Sequence, residues 1–178
     1  FFYPSVAASY ILSNTVKLSK VISFAKLRAN WAQVGNDTDP YQTSAAFVAQ
    51  TAYNSQPTFS AADLLANSDL LPERTTSYEV GADVRFFNNR LRFDATYYQA
   101  VTRNQIIALP VAISSGASEQ IVNGGVVNTS GVEILLDAQA YKTNNFQWNV
   151  GLNFSHNVSI VKELPEGIDK LTLVQYCN

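Results

Sequence analysis

The segment from Arg74 to Arg103 has two long arms, on either side of Asn88-Asn89, that alternate strictly between two kinds of side chain. One face of each arm is apolar or uncharged, and the other face has charged and small polar residues. In the first arm, Thr76, Tyr78, Val80, Ala82, Val84 and Phe86 alternate with Thr75, Ser77, Glu79, Gly81, Asp83 and Arg85. A period of two is typical of a β-strand, and asparagine tolerates the positive φ of a tight turn, so this segment is predicted to be a β-hairpin.

The arms of this hairpin are long for a soluble domain. Thr75–Phe87 spans about 43 Å at about 3.3 Å per residue, whereas strands in globular proteins usually have about 5–6 residues. Tilted by about 40°, such a strand rises roughly 33 Å, which is enough to cross the apolar band, about 25 Å tall, of an outer-membrane barrel. The uncharged face then corresponds to lipid and the charged face to the lumen.

The composition fits a barrel wall and excludes several other classes of protein. The chain has 178 residues, a net charge of −2, 15% charged residues and 12% aromatic residues, so it lacks the basic surface typical of nucleic-acid-binding proteins. No window has the roughly 18 consecutive apolar residues of a membrane helix. Cys177 is the only cysteine, which excludes an intrachain disulfide. The chain has no methionine and no signal peptide, so we expect an internal piece of a longer protein.

Similar alternation predicts six strands in all, at 5–12, 25–33, 74–87, 90–103, 130–142 and 146–157. Short turns at 13–24, 88–89 and 143–145 connect them, together with long segments at 34–73, at 104–129 and from 158 onward. Outer-membrane barrels have short periplasmic turns and long extracellular loops. The predicted fold is therefore all-β, an antiparallel transmembrane β-barrel segment whose short turns face the periplasm. Because the smallest such barrels have about eight strands, we expect further strands in the intact protein.

Three stretches of the chain resemble one family of transporters. They read LRANWAQVGND at Leu27–Asp37, LLPERTTSYEVGADVRFFNNRLRFDATYY at Leu70–Tyr98 and NGGVVNTSGVEI at Asn123–Ile134. In this order and spacing they resemble the barrel of the SusC/RagA-type TonB-linked outer-membrane transporters of Bacteroidetes. The resemblance extends over essentially the whole chain, and the run from Leu70 through the Asn88-Asn89 turn is its most specific part.

The resemblance implies how the intact protein is built and what it does. It implies a barrel of about 22 strands around a plug domain, of which residues 1–178 are a part that lacks the plug, the early strands and the final strands. It implies import of oligosaccharides or peptides across the outer membrane. The implied partners are the TonB complex, through the absent N-terminal region, and a SusD-like lipoprotein on the extracellular loops.

Two groups of residues are candidates for contact with a substrate. Seven charged residues are predicted to face the lumen: Glu79, Asp83, Arg85, Arg92, Asp94, Glu133 and Asp137. They are open to three interpretations, as a substrate path, as an ionic network between the wall and the plug, or as a wet lumen wall. The long segment at 34–73 contributes four aromatic residues for stacking against a sugar, Tyr41, Phe47, Tyr53 and Phe59, although such rings also pack the interior of loops.

Other candidate sites have simpler interpretations. His156 is the only histidine, and because a catalytic triad would need further members, we interpret it as a residue near the extracellular end of a strand. Asp37 and Asp39 lack the downstream bidentate acid of an EF-hand, so an Asx-turn is favoured over a calcium site. We predict no catalytic residue, no metal site and no cofactor. Two alternative functions stay open: a surface-exposed structural or adhesive all-β protein, and an outer-membrane hydrolase.

Overall fold

The computed structural model describes residues 2–40, 42–44 and 46–165 of the chain. In chain order, the strands of these residues are β1 (Ser5–Ile11), β2 (Ile22–Asn36), β3 (Phe47–Tyr53), β4 (Gln56–Ala61), β5 (Leu64–Leu65), β6 (Glu73–Phe86), β7 (Leu91–Arg103), β8 (Ile106–Pro110), β9 (Glu119–Asn123), β10 (Val126–Lys142) and β11 (Gln147–Glu163). Single turns of 3₁₀-helix occupy Leu12–Asn14 and Ile113–Ser115. The described part of the chain contains no helix long and apolar enough to cross a membrane.

Six of the strands form one antiparallel sheet in the order β1-β2-β6-β7-β10-β11. The first pair runs in register from Ser5 opposite Ala32 to Ile11 opposite Lys26. These six strands and their three hairpins are those that the alternation predicts, so the predicted all-β antiparallel sheet is confirmed. Because strand direction alternates across the whole sheet, the turns of the three hairpins lie at the same edge of the sheet.

The turn between β6 and β7 contains three consecutive residues with positive φ. The φ angles of Phe87, Asn88 and Asn89 are 53°, 56° and 65°. Asparagine adopts this left-handed conformation more readily than most residues, which is why Asn88-Asn89 marks the turn in the sequence. Phe87 adopts it less readily, and its N–H donates a hydrogen bond of 2.9 Å to the carbonyl of Val21. That bond holds the turn against the neighbouring connection between β1 and β2.

Contacts between residues divide the chain into two compact units. The sheet unit contains the described residues up to 34, 75–101 and 128–160, and the loop unit contains those of 35–74, 102–127 and from 161. In the loop unit, β3 pairs with β4, and β9 lies between β5, to which it is parallel, and β8, to which it is antiparallel. Leu109, Ala117 and Ile121 are buried here and form a small apolar core.

Several strand ends differ from the prediction. Strand β2 continues to Asn36, β10 begins at Val126 and β11 continues to Glu163, although the sequence predicted turns or loops at these three ends. Local preference for a turn is weaker than pairing with a neighbouring strand, so residues such as Gly35 and Asn36 remain in the strand. The long segments, predicted as connections with one short strand at 45–51, contain β3, β4 and β5 in one and β8 and β9 in the other.

Candidate functional site

An arginine of β2 forms the strongest polar contact on the charged face of the sheet unit. Arg28 donates two parallel hydrogen bonds to Asp94 of β7, one of 2.6 Å from Nη2 to Oδ1 and one of 3.1 Å from Nη1 to Oδ2. Nη2 also donates to the hydroxyl of Thr96. A bidentate arginine–carboxylate pair is among the stronger and more directional side-chain contacts in proteins. Arg28 thus ties β2 to β7, although β6 lies between them in the sheet.

Further ion pairs extend from Asp94 along the same face. Arg92 Nη2 lies 3.3 Å from Asp94 Oδ2 and 3.2 Å from Asp83 Oδ2. Arg85 Nη2 lies 3.4 Å from that same oxygen of Asp83, and its guanidinium lies 4.8 Å from the ring centre of Phe24. We call the six charged residues on this face the ion-pair network: Arg28, Glu79, Asp83, Arg85, Arg92 and Asp94.

The ion-pair network is neutral overall and mostly satisfies itself. It contains three arginines and three carboxylates, and Glu79 lies at its margin, 3.9 Å from Arg28 Nε. Asp83 is 6% exposed. Among the described residues, Asp83 Oδ1, Arg85 Nε and Arg92 Nε are buried atoms without a hydrogen-bond partner. The network therefore joins charged residues of β2, β6 and β7 and presents no excess charge to a ligand.

Glycines on the charged face make room for side chains of neighbouring strands. A Cβ at Gly81 would lie 2.7 Å from Arg28 Nε, so Arg28 reaches across β6 only because this position has no side chain. A Cβ at Gly131 would lie 2.5 Å from the hydroxyl of Tyr98, and one at Gly151 would lie 3.0 Å from Asp137 Oδ1. Gly131 and Gly151 thus leave room for the side chains of Tyr98 and Asp137.

The structure brings together five of the seven charged residues predicted to face the lumen, namely Glu79, Asp83, Arg85, Arg92 and Asp94. Glu133 and Asp137 lie on β10 and form no ion pair with the described residues. The prediction omitted Arg28, the residue that joins the network to β2. Alternation in 25–33 already placed Arg28 on the charged face, but no sequence signal indicated its partner.

Polar side chains fasten the connections of the loop unit. Asn123 acts like a backbone group, because its Oδ1 accepts from Leu71 N at 2.6 Å and its Nδ2 donates to Leu71 O at 2.6 Å. Its Nδ2 also donates to the carbonyl of Asn104 at 3.0 Å. Asp63 accepts from the backbone N–H and the hydroxyl of Ser118 at 2.8 and 2.7 Å. Sequence patterns did not predict these contacts, which join residues 19, 52 and 55 positions apart.

Three of the four candidate loop aromatics lie in the β3–β4 hairpin and are exposed. Phe47 and Phe59 lie on one face, since Phe47 pairs with Ala61 and Phe59 with Ala49. A register shift between Gln50 and Tyr53 places Tyr53 opposite Gln56 and therefore on the other face. The exposed fractions of Phe47, Tyr53 and Phe59 are 75%, 73% and 64%. Tyr41 lies outside the described residues.

The candidate metal residue Asp37 lies in a local turn, and the candidate catalytic residue His156 lies within a strand. In the described ranges, no group of three or more His, Cys, Asp or Glu side chains could hold a metal ion. Asp37 Oδ1 instead accepts from the N–H of Thr38 at 2.9 Å, as in a local turn. His156 lies within β11, which runs seven residues further to Glu163, so its predicted position near a strand end is wrong.

Comparisons with known proteins connect this architecture to one family. A family model described as TonB dependent receptor-like, beta-barrel matches residues 1–170. The chain is 31% identical to TonB-dependent receptor P3 of Formosa agariphila over 94% of its length and 17% of that protein. It is 25% identical to TonB-dependent receptor SusC of Bacteroides thetaiotaomicron over 94% of its length and 18% of that protein.

Solved structures share the fold of the described residues. A structure of the RagAB peptide transporter superposes with a TM-score of 0.86 at 24% sequence identity, over 96% of this chain and 19% of that chain. The siderophore receptor PirA of Pseudomonas aeruginosa gives a TM-score of 0.58 at 17% identity, over 90% of this chain and 28% of that chain. The chain spans less than a fifth of the curated relatives' length, and these relatives are receptors rather than enzymes.

Proposed function

We propose that the whole protein imports a nutrient across the outer membrane, because this chain belongs to the TonB-dependent receptor-like β-barrel family and lies in that membrane. Residues 1–178 contribute six strands of the wall, with the apolar face toward lipid and the charged face toward the lumen. Since the smallest outer-membrane barrels have about eight strands, further strands of the intact polypeptide complete the barrel, and a plug domain fills it.

The observation that best supports this proposal is the separation of charge between the two faces of the sheet. The ion-pair network lies on one face, whereas Val80, Leu152 and Phe154 on the other face are exposed and uncharged. Lipid excludes charge, at about 2–4 kcal/mol for each Arg or Lys near the midplane. A lumen that contains water accepts the charged face, so the two faces suit the two sides of a barrel wall.

We propose that the substrate is an oligosaccharide or a peptide and that the TonB complex supplies the energy for import. The similarity to SusC and to the RagAB peptide transporter supports this class of substrate. The exposed rings of Phe47, Tyr53 and Phe59 would offer flat apolar surfaces to a sugar ring or to a peptide side chain. A SusD-like surface lipoprotein is the proposed partner of the loop unit.

Growth of cells tests import directly. Deleting the gene of the full-length protein should abolish growth on its substrate within a panel of oligosaccharides and peptides, each supplied as the sole carbon source. A plasmid copy should restore growth, and a copy without the TonB-contacting segment should not, because import then has no energy source. Unchanged growth of the deletion strain on the whole panel would contradict the proposal.

Purification tests the proposed partner separately. The full-length protein, extracted from outer membranes with detergent, should co-purify with a SusD-like lipoprotein. Recovery of the full-length protein in buffer without detergent would refute the barrel. Purification without a lipoprotein, from cells that still show uptake, would refute the partner alone.

A further inference from the structure

The three short turns of the sheet unit have cationic residues and no acidic residue. Lys17 and Lys20 lie between β1 and β2, Arg90 follows the turn after β6, and Lys142 ends β10. All four are exposed. None of them forms an ion pair within the described part of the chain. We call residues 12–21, 87–90 and 141–146 the turn edge; they include no Asp or Glu.

Hydrogen bonds hold the three turns side by side. The N–H of Phe87 donates to the carbonyl of Val21, which follows Lys20, at 2.9 Å. The carbonyl of Arg90 accepts from the N–H of Gln139, three residues before Lys142, at 2.7 Å. The four cations therefore lie along one continuous edge of the sheet, and their charges add.

Exposed apolar side chains accompany the cations in every turn. Val16 precedes Lys17, Phe87 opens the turn that ends at Arg90, and Tyr141 precedes Lys142. The exposed fractions of Val16, Phe87 and Tyr141 lie between 50% and 56%. The ring of Tyr141 lies 6.2 Å from that of Phe146 across the third turn. Exposed apolar and aromatic side chains next to cations are typical of the zone where acyl chains meet lipid headgroups.

The longer connections of the chain have the opposite charge. Residues 37–72 and 104–125 contain no Lys or Arg and include the acids Asp37, Asp39, Asp63, Asp69 and Glu119. A chain with a net charge of −2 is not expected, from its composition alone, to have only cations among the charged residues of its three turns. The cations are therefore a local property of the turn edge.

We propose that the turn edge binds the phosphate headgroups of anionic phospholipids in the membrane leaflet that faces the periplasm. Cations next to such a surface each contribute about a fivefold change in association at low ionic strength. Each turn places at least one exposed apolar side chain within a few residues of a cation, as expected where acyl chains meet headgroups. A soluble acidic protein as the ligand would account for the four charges but not for the exposed apolar side chains beside them.

The preference of the full-length protein for an anionic lipid tests this proposal. The protein is reconstituted in phosphatidylcholine bilayers with trace spin-labelled phosphatidylglycerol or spin-labelled phosphatidylcholine, and the motionally restricted fraction of each probe gives its relative association constant. The wild type should prefer phosphatidylglycerol about threefold to tenfold in low salt. About 0.5 M salt should remove most of this preference, because it screens exposed charges.

Two variants of the turn edge separate charge from shape. A glutamine variant should bind both probes about equally; it combines Lys17→Gln, Lys20→Gln, Arg90→Gln and Lys142→Gln. A charge-keeping variant should keep the preference; it combines Lys17→Arg, Lys20→Arg, Arg90→Lys and Lys142→Arg. A control that removes three exposed cations elsewhere, by Arg74→Gln, Arg103→Gln and Lys162→Gln, should keep the preference, and restoring Lys20 in the glutamine variant matches the two variants at three charges each. The heat-dependent gel mobility of folded barrels shows that each variant is folded.

Each contrary result identifies the step that fails. Equal association of both probes with the wild type, or a preference that survives in the glutamine variant or in high salt, would overturn headgroup binding. An equal loss in the control variant would assign the preference to overall charge and would overturn the role of the turn edge. The inference rests on the proposed orientation of the barrel but not on import, so lipid preference and uptake can fail independently.

Discussion

At the scale of single residues, a missing side chain determines how the wall is held together. Arg28 of β2 reaches Asp94 of β7 across the intervening strand because Gly81 leaves its path open. An arginine that stopped at β6 would find Glu79, whose carboxylate lies 3.9 Å from Arg28 Nε. Because position 81 is glycine, Arg28 forms a bidentate pair with Asp94 across three strands instead of only a weak contact with Glu79.

Gly81→Ala should destabilise the full-length barrel by about 1–2 kcal/mol. This value is in the lower range for hydrogen bonds to charged groups, because water reaches part of the Arg28 side chain and weakens its ion pair. The added methyl group would displace the guanidinium from Asp94. Urea unfolding in vesicles, followed by tryptophan fluorescence, measures the change. In an Arg28→Ala background, the same substitution should cost almost nothing, since the displaced group is gone.

Gly151→Ala provides the matched control. Its added Cβ would meet only the end of the Asp137 side chain, at 3.0 Å, and Asp137 forms no ion pair with the described residues. The carboxylate can rotate away, so we expect a smaller loss than at Gly81. Equal losses at the two glycines would refute the role assigned to Arg28.

At the scale of elements, each long strand has one apolar face and one polar face. In β11, Leu152 is 58% exposed on the apolar face, and the adjacent Asn153 lies on the other face. Successive side chains of a strand point to opposite sides. In the proposed orientation, neighbouring positions therefore face lipid and lumen, although they share the same backbone and nearly the same depth.

Leu152→Arg should reduce the stability of the full-length barrel by about 2–4 kcal/mol if Leu152 lies near the bilayer midplane, because lipid does not solvate the guanidinium. Asn153→Arg, one residue further, should cost less than about 1 kcal/mol, since it faces water in the lumen. The folded fraction after refolding into vesicles, over a urea series, measures both. Similar losses at the two positions would contradict the assignment of the faces.

A register shift in the β3–β4 hairpin places its aromatic residues on two opposite faces. Phe47 and Phe59 share a face, and Tyr53 lies on the opposite face next to a two-residue turn at Asn54 and Ser55, both with positive φ. The sequence predicted Tyr41, Phe47, Tyr53 and Phe59 as one candidate set. The structure divides the three described members, so a single bound ring can stack on only one face.

Phe47→Ala with Phe59→Ala should raise the substrate concentration for half-maximal uptake about fivefold or more, because each lost stacking contact weakens binding by about 0.5–1.5 kcal/mol. Tyr53→Ala, on the opposite face, is the control and should have a smaller effect. Uptake of labelled substrate by cells with full-length variants measures both. An unchanged half-maximal concentration in the double variant would remove these rings from the substrate site.

At the scale of the whole molecule, the six-stranded sheet has a neighbour missing at each end. Within the described residues, β1 pairs only with β2, and β11 pairs only with β10. All seventeen residues of β11 are exposed. Each unpaired backbone group costs several kcal/mol in lipid, so the sheet requires partners on both sides.

The isolated 178-residue polypeptide should not fold as a soluble monomer, because its apolar face and both sheet edges would meet water. We expect aggregation in buffer and no cooperative thermal transition in circular dichroism, whereas the full-length protein in detergent should unfold cooperatively. A monomeric, cooperatively melting polypeptide in buffer would refute this expectation.

Local chemistry allowed much of this architecture to be predicted from the sequence. Alternation in 74–87 and 90–103 identifies two strands and their faces because side-chain direction repeats every two residues. Asn88-Asn89 identifies the turn because asparagine tolerates a positive φ. Strand ends such as Asn36 and Glu163 were predicted poorly, since pairing with a neighbour outweighs the preference of a single residue.

What the sequence by itself determined is therefore the all-β class, the six strands of the sheet and the alternation that places Asp83, Arg85, Arg92 and Asp94 on one face. Only the tertiary structure decided which charges meet. Arg28 and Asp94 are 66 residues apart, and their contact depends on strand order, on register and on the absence of a side chain at Gly81. The physical reason is that alternation is a property of one strand, whereas an ion pair across three strands depends on how those strands align.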